Sequence, residues 1–428
     1  MSLRFTPAPT NDFADFIRTY FERCRAKSPR IEGNAGKWRF EDLIPGLSDF
    51  DTRFLVSDAT TAEDWCRLSM GVAEVHLELA RERKDWARNL EHLPGVNLKW
   101  GELLDPQQYF TEFSQWSFYH GDTAKLAAAR RFVADHGWTA VDEHYHWKKI
   151  SLYYGPYNRT IDPAINLGPY ENKYSLHSRL LHYFCPPVHA GVCLAEGRTS
   201  PGKLDAFRRA RELFPHPEVI DQVLALIARH YEDEAYLTEP GVTELDGRLE
   251  AYLTDMVAVL LKRRPLACPP RPTVPELKRA VAAAGGDAAF AQLFENIKFS
   301  RLMKGRLWFY GQEVPWFDSG PLIRNELNRI GGSFYATPVR LFARLAYGAD
   351  LTPEAALARM EGDVFDAGQA EACRRFAAAA CTPCPDGELR ARALKIAAGF
   401  DPFLHALEHL LVVAKLQLER PANPPSQP

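Results

Sequence analysis

Hydrophobic positions near the start of the chain repeat at helical spacing. Phe13, Phe16, Ile17, Tyr20 and Phe21 fall on one face, and Asn11 or Asp12 is placed to cap that helix. The texture then changes. Gly33, Gly36, Pro45 and Gly46 punctuate residues 31–58, which end in the β-rich run Phe50-Asp-Thr-Arg-Phe54-Leu55-Val56. Thr60 to Leu90 holds no proline and one glycine, Gly71, and predicts one or two helices. Val96-Asn-Leu98-Lys-Trp100 alternates and predicts another strand. Helix and strand thus alternate through residues 1–110, the pattern of a small α+β unit.

Residues 111–264 form an aromatic-rich insert and a helical section. The aromatic run begins just before the boundary, at Tyr109 and Phe110, and continues through Phe113, Trp116, Phe118 and Tyr119 to His144-Tyr-His-Trp147 and Tyr153-Tyr154. His144-Tyr-His146 reads as a half-exposed aromatic strand, with the rings as core material or as a stacking surface. The breaker-rich stretch 153–169 reads as a long structured loop. From Leu176 to Arg264 the pattern is mostly helical. Residues 265–275 hold five prolines and read as a linker between domains. Residues 276–418 predict a mainly helical, Ala-rich C-terminal domain, with Arg306-Leu-Trp-Phe-Tyr310 as a strand or a buried helix turn. The polar, Pro-rich residues 419–428 read as a disordered tail.

Composition narrows the field. The 428 residues are 46% hydrophobic and 25% charged, which excludes a mainly disordered chain. Lys plus Arg is 52 against 55 Asp plus Glu, a formal net charge of −3. That balance weighs against nucleic acid as the partner. No apolar run reaches the ~18 residues of a membrane span, and the first residues lack a signal-peptide core, so the expectation is a cytoplasmic protein without a membrane role. The eight cysteines are irregularly spaced and read as free thiols.

The strongest chemical signal is Asp49-Phe50-Asp51 at the entrance to the strand. Residues two apart share a strand face, so both carboxylates would point outward together while Phe50 turns into the core. Two adjacent carboxylates repel unless a cation lies between them, and Mg²⁺ prefers carboxylate oxygens together with substrate phosphates.

The run Gly33-Asn-Ala-Gly36 to Pro45-Gly-Leu-Ser48-Asp49-Phe-Asp51, leading into an apolar strand, resembles the DNA polymerase β-type nucleotidyltransferase superfamily. It is closest to the small-molecule branch that includes the aminoglycoside nucleotidyltransferases. Ser200-Pro-Gly-Lys203-Leu-Asp-Ala206 is similar to a second block of the bacterial members. The resemblance spans roughly residues 10–235 and rests on these two blocks. It implies a small mixed-sheet nucleotidyltransferase core followed by helical domains. Asp49 and Asp51 would carry two Mg²⁺ ions, with Ser48 beside them. Gly33 and Asn34 would form the turn that cups the triphosphate with backbone N–H groups. Lys203 would neutralise phosphate charge. The family places a third acid on a later strand; Lys99 stands there, and Glu102 is the nearest substitute. The implied reaction moves a nucleoside monophosphate, AMP from ATP or another NTP, to a hydroxyl of a small-molecule acceptor. The alternative is a catalytically degenerate member used for binding or assembly, with the C-terminal domain as the surface for a protein partner.

Three other patterns have plainer readings. His405-Ala-Leu-Glu408-His409 matches an inverted zinc-protease motif, but its apolar neighbours fit a packed helix. Cys373, Cys381 and Cys384 lack a second knuckle to complete a zinc site. Arg130-Arg131, Arg208-Arg209, Arg263-Arg264 and Glu232-Asp-Glu234 fit solvated helix surfaces.

Overall fold

The computed structural model describes residues 10–43, 50–86, 89–90, 92–154, 184–200, 202–232, 240–285, 288–314 and 317–419. The first helix, α1 (Thr10–Lys27), buries Phe13, Phe16, Ile17, Tyr20, Phe21 and Cys24, as its spacing requires. Four strands follow: β1 (Ile31–Lys37), β2 (Thr52–Val56), β3 (Leu98–Lys99) and β4 (Trp116–His120). They form one mixed sheet in the order β3-β2-β1-β4. The central strand β1 runs antiparallel to β2 and β4, and β3 runs parallel to β2.

The long helix α2 (Ala62–Glu82) connects β2 to β3. A reciprocal capping box between Thr61 and Asp64 starts it. One sheet face, with Phe50, Phe54 and Val56, packs on α1 and α2. The other face, with Ala35, Leu55, Leu98, Trp116 and Phe118, packs on the short α3 (Trp100–Leu103) and on Tyr109, Phe110 and Phe113. Fold class is therefore mixed α and β, mostly helical, with one small sheet.

Strand β1 carries little hydrophobic signal because two of its seven residues are glycines. Both make room for rings. A Cβ on Gly33 would lie 2.9 Å from the Trp100 ring and from the His120 carbonyl, and one on Gly36 would run into Phe50.

After α4 (Thr123–Asp135) comes α5 (Ala140–Tyr153), opened by a capping box between Thr139 and Asp142. His144-Tyr145-His146 thus lies on a helix, not on a strand. Tyr145, His146 and Trp147 are buried in succession, which blurs the helical period.

A second core gathers Trp147, Ile150, Val188, Phe207, Ile220, Leu249 and Met256. It draws on α5, α6 (Cys185–Glu196), α7 (Lys203–Leu213), α8 (Pro217–Glu232) and α9 (Pro240–Arg263). Leu277 and Val281 of α10 (Val274–Ala283) belong to it as well, so the packing boundary falls after residues 265–275.

The later helices are α11 (Ala289–Ser300), α12 (Met303–Gly311), α13 (Gly320–Arg329), α14 (Thr337–Tyr347), α15 (Pro353–Met360), α16 (Ala367–Cys381), α17 (Leu389–Ala398) and α18 (Asp401–Glu419). Their apolar faces join the α1–α2 core: Phe13 and Trp65 lie in one cluster with Leu307, Phe403 and Leu410. The first and last sections of the chain share a core, and residues 276–418 do not pack as a separate body. Arg306–Tyr310 lies within helix α12, where Leu307, Phe309 and Tyr310 are buried. Among the described residues, no single helix is long and apolar enough to cross a membrane.

Candidate functional site

Three segments meet at one corner of the sheet. Where β1 ends, the Lys37 N–H donates to the Asp51 carbonyl (3.0 Å) and the Trp38 N–H to the Gln115 carbonyl (2.8 Å). Trp38 has φ +72°, a left-handed conformation that a bulky side chain rarely adopts. Its carbonyl accepts from the Tyr119 hydroxyl (3.3 Å), and its ring packs edge-on against His189 at 4.8 Å. Such strain persists where its surroundings over-determine it, and it concentrates at functional sites.

On the sheet face beside this corner lies a chain of charges. Arg53, two residues after Asp51 and 3% exposed, donates to Glu112 from Nε (3.3 Å) and Nη2 (2.9 Å), and to the Thr52 carbonyl from Nη1 (2.8 Å). Nη1 also lies 3.5 Å from the partly exposed Asp51 carboxylate. Lys37 lies 3.3 Å from the other Glu112 oxygen, and Trp116 Nε1 also donates to Glu112. Burial pushes the Glu112 carboxyl up, but Lys37, Arg53 and Lys149 outweigh it and hold the group down at about 2. Lys149, on α5, is pushed down to about 8 by burial with Lys37 nearby. His92 Nε2 lies 3.9 Å from Asp51.

Helix α7 arrives from the other side. Asp42 caps it from a distance: one carboxylate oxygen accepts the Leu204 N–H (2.9 Å) and the other accepts Arg39 Nε (3.0 Å). Arg39 also reaches Asp205 (3.0 Å). This docking sets the Lys203 ammonium 5.9 Å from the Trp38 ring centre, the same distance as Lys37. Lys203 makes no ion pair among the described residues. The corner therefore assembles five cations, Lys37, Arg39, Arg53, Lys149 and Lys203, around four described carboxylates, Asp42, Asp51, Glu112 and Asp205. A surplus of positive charge at a partly open corner suits a polyanion.

The residues expected from the sequence divide clearly. Asp51 and Lys203 both belong to this corner. Ser48 and Asp49 lie outside the described residues, as does the loop 155–169. Gly33 and Asn34 do not form a turn, and this corrects the expected phosphate cradle. Both lie inside β1, opposite Leu55 and Phe54, where their glycine and amide serve packing. Asn34 Oδ1 accepts from both the backbone and the ring Nδ1 of His120 (3.0 and 2.9 Å).

Glu102 is not brought to Asp51. It caps Lys99 and grips Arg301 through both oxygens (2.6 and 2.7 Å). The β2–β3 register sets it beyond the far end of β2, roughly 15 Å along the strand direction at ~3.3 Å per residue. The acid that does approach Asp51 is Glu112. Its signal was faint: Glu112 is the sole carboxylate between Asp105 and Asp122, set among aromatic residues. Lys149 had no local signal.

The remaining motifs are spoken for. Glu408 bonds Arg301, His409 Nε2 contacts the Val364 carbonyl (2.9 Å), and His405 faces solvent. All eight cysteines are free thiols. A cleft of about 390 Å³, lined by His144, Lys148, Lys278, Arg340 and Arg344, opens beside α5, and none of the corner residues lines it. Comparison of the chain with protein-family models, with curated proteins and with solved structures gave no match.

Proposed function

We propose that the chain is a nucleotidyltransferase that moves a nucleoside monophosphate, AMP from ATP or another NTP, to a hydroxyl of a small-molecule acceptor. One observation carries this reading: Lys203 and Asp51, from two blocks far apart in sequence, are gathered around Trp38 and Lys37 at one corner. The order α1-β1-β2-α2-β3, with an acid at the head of β2, supports it.

Asp51 offers hard carboxylate oxygens, is partly exposed, and has Arg53 no nearer than 3.5 Å, a donor that suits Mg²⁺. Asp51 would hold the ion, with Asp49 beside it in the sequence. When bound, Mg²⁺ would neutralise charge on the transferring phosphate. Lys203 and Lys37 would bind the phosphates of the NTP. Glu112, through Arg53 and Lys37, orients the cations. Lys149, pushed down to about 8, is charged at neutral pH and gives up its proton more readily than an exposed lysine.

A second reading has its own support. Arg53 faces Asp51 from the same strand, and Gly33 and Asn34 are committed to packing. Both features suit a degenerate member that binds a nucleotide without turning it over.

The test is calorimetry with each of the four NTPs and Mg²⁺, on the wild type, Asp51→Asn and Lys203→Ala, followed by pyrophosphate release with a panel of hydroxyl acceptors. Metal-dependent binding that Asp51→Asn abolishes, with pyrophosphate release, supports the enzyme. Binding without release favours the degenerate member. A folded wild type that binds none of the four overturns the enzyme and leaves the degenerate member as an assembly module.

A further inference from the structure

A second cluster adjoins the Trp38 ring, which packs edge-on against His189. Helices α5 and α6 pack against each other, and three soft-metal donors meet between them. His146 comes from α5. His189 and Cys193 come from α6, one turn apart and therefore on one face. All three are buried, and one donor atom from each lies within 4.8 Å of the others. From these positions we infer that His146, His189 and Cys193 form a binding site for a zinc-class transition metal.

The orientation of each donor supports the site. The Cys193 sulfur lies beside the His189 ring, 3.8 Å from Nδ1 and 3.9 Å from Nε2. His189 Nε2 lies 2.9 Å from the Ser200 carbonyl, which can only accept; Nε2 therefore carries the proton and Nδ1 presents its lone pair. The Ser200 N–H donates to the Cys193 sulfur (3.3 Å). A carbonyl behind the imidazole and an N–H on the sulfur are the outer contacts that orient metal ligands. Ser200 supplies both.

His146 is the independent observation. Its ring is fully buried and stacked flat on Trp138 (5.4 Å), yet neither ring nitrogen has a hydrogen-bond partner among the described residues. Burying an imidazole with both nitrogens unsatisfied is costly, and a metal bond would satisfy one of them.

The donor set selects the metal. Two nitrogens and one sulfur suit Zn²⁺ and its neighbours, whereas Mg²⁺ and Ca²⁺ demand oxygen. Bond lengths of 2.0–2.3 Å in a tetrahedron place donors about 3.3–3.6 Å apart, so a separation of 4.8 Å must close by about 1.2–1.5 Å. Three protein donors leave a fourth position for a water or another ligand. Lys37, Lys149 and Lys203 lie near the two imidazoles and oppose a bare dication, with Asp42 as counter-charge, and burial favours the neutral Cys193 thiol, so a metal must displace the thiol proton to bind. A bound metal would tie α5 and α6 to the Ser200–Lys203 segment.

The experiment uses the full chain, reduced and stripped with chelator, and titrated with Co²⁺. One equivalent is expected to give a near-ultraviolet sulfur-to-cobalt band and visible bands of tetrahedral strength, both displaced by Zn²⁺. Cys193→Ala should lose the sulfur band. His146→Phe, which keeps the ring packing, should weaken binding about 100-fold. Cys381→Ser/Cys384→Ser, which removes the more accessible thiol pair, should leave the spectrum unchanged. Bands that survive Cys193→Ala, or that vanish only in the Cys381/Cys384 variant, overturn the site. So does a wild type that binds no Co²⁺. Should the Cys193 variant fail to fold, X-ray absorption of the Zn²⁺-loaded wild type decides: one sulfur with two or three nitrogen or oxygen neighbours is required, and any other sulfur count refutes it.

Discussion

Two ion clusters in this protein use the same residue types and reach opposite states. Around Arg301 every guanidinium N–H is matched. Its five N–H donors go to Glu102, Glu408 and the Asn97 carbonyl at 2.6–3.0 Å, and its plane lies 4.5 Å from the Trp65 ring centre. Lys298 sits nearby, its buried ammonium balancing the second carboxylate through space without a hydrogen-bond partner among the described residues. Around Arg53 the geometry is looser, the Asp51 contact is long, and cations outnumber carboxylates. The first cluster is sealed between β3, α11 and α18 and fastens the last helices to the sheet. The second faces a partly open corner with charge to spare. A saturated arginine joins parts of a fold; an unsaturated cluster at an edge is built to receive something.

Four measurements bear on that contrast. Arg301→Met leaves two buried carboxylates without their partner and should cost about 3–5 kcal/mol in urea unfolding, the size expected for breaking a buried pair. Arg53→Met should cost clearly less, because Lys37 and Lys149 still face Glu112. Equal losses would erase the distinction.

The second measurement is acid stability. The Glu102 and Glu112 carboxyls are both held down at about 2, against burial that pushes each up, by their cationic partners. Their folded pKa lies below the unfolded value, so their stabilisation is complete above about pH 4.5 and is lost as pH falls toward 2. Glu112→Gln should make the fall of unfolding free energy over that window shallower; an unchanged slope would count against the pairing.

The third compares the lysines. Burial pushes Lys149 and Lys298 each down to about 8. Tripolyphosphate bound at the corner should raise Lys149 and draw up a fraction of a proton at pH 8. Calorimetry in buffers of different ionisation heat reads this uptake. Lys149→Met should abolish it and Lys298→Met should not. The smallest effect on stability belongs to Lys203→Ala: within about 0.5 kcal/mol, as for a surface change, with tripolyphosphate affinity down about tenfold.

Much of the N-terminal unit was legible before folding. Helices α1 and α2 follow from hydrophobic spacing because each buries one face, and strand β2 follows from its β-rich run, buried on both faces. Strand β1 was hidden by Gly33 and Gly36, whose role is to admit the Trp100 and Phe50 rings. Helix α5 was hidden for another reason: Tyr145, His146 and Trp147 are buried in succession, which blurs its period. At the corner, Asp51 and Lys203 were visible as motif residues. Glu112 and Lys149 were not, because their meaning lies in partners distant along the chain.

By itself, the sequence determined the local elements and the pairing of acid and strand at Asp51. Periodicity and turn chemistry act over a few residues, so a few residues suffice to read them. Only the tertiary structure decided that the first and last sections share a core, that Glu102 serves Arg301 and not Asp51, and that Lys203 stands over Trp38. It also brought His146 to His189 and Cys193. Charge neutralisation and burial are properties of what surrounds a side chain, and those surroundings exist only once the chain has closed on itself.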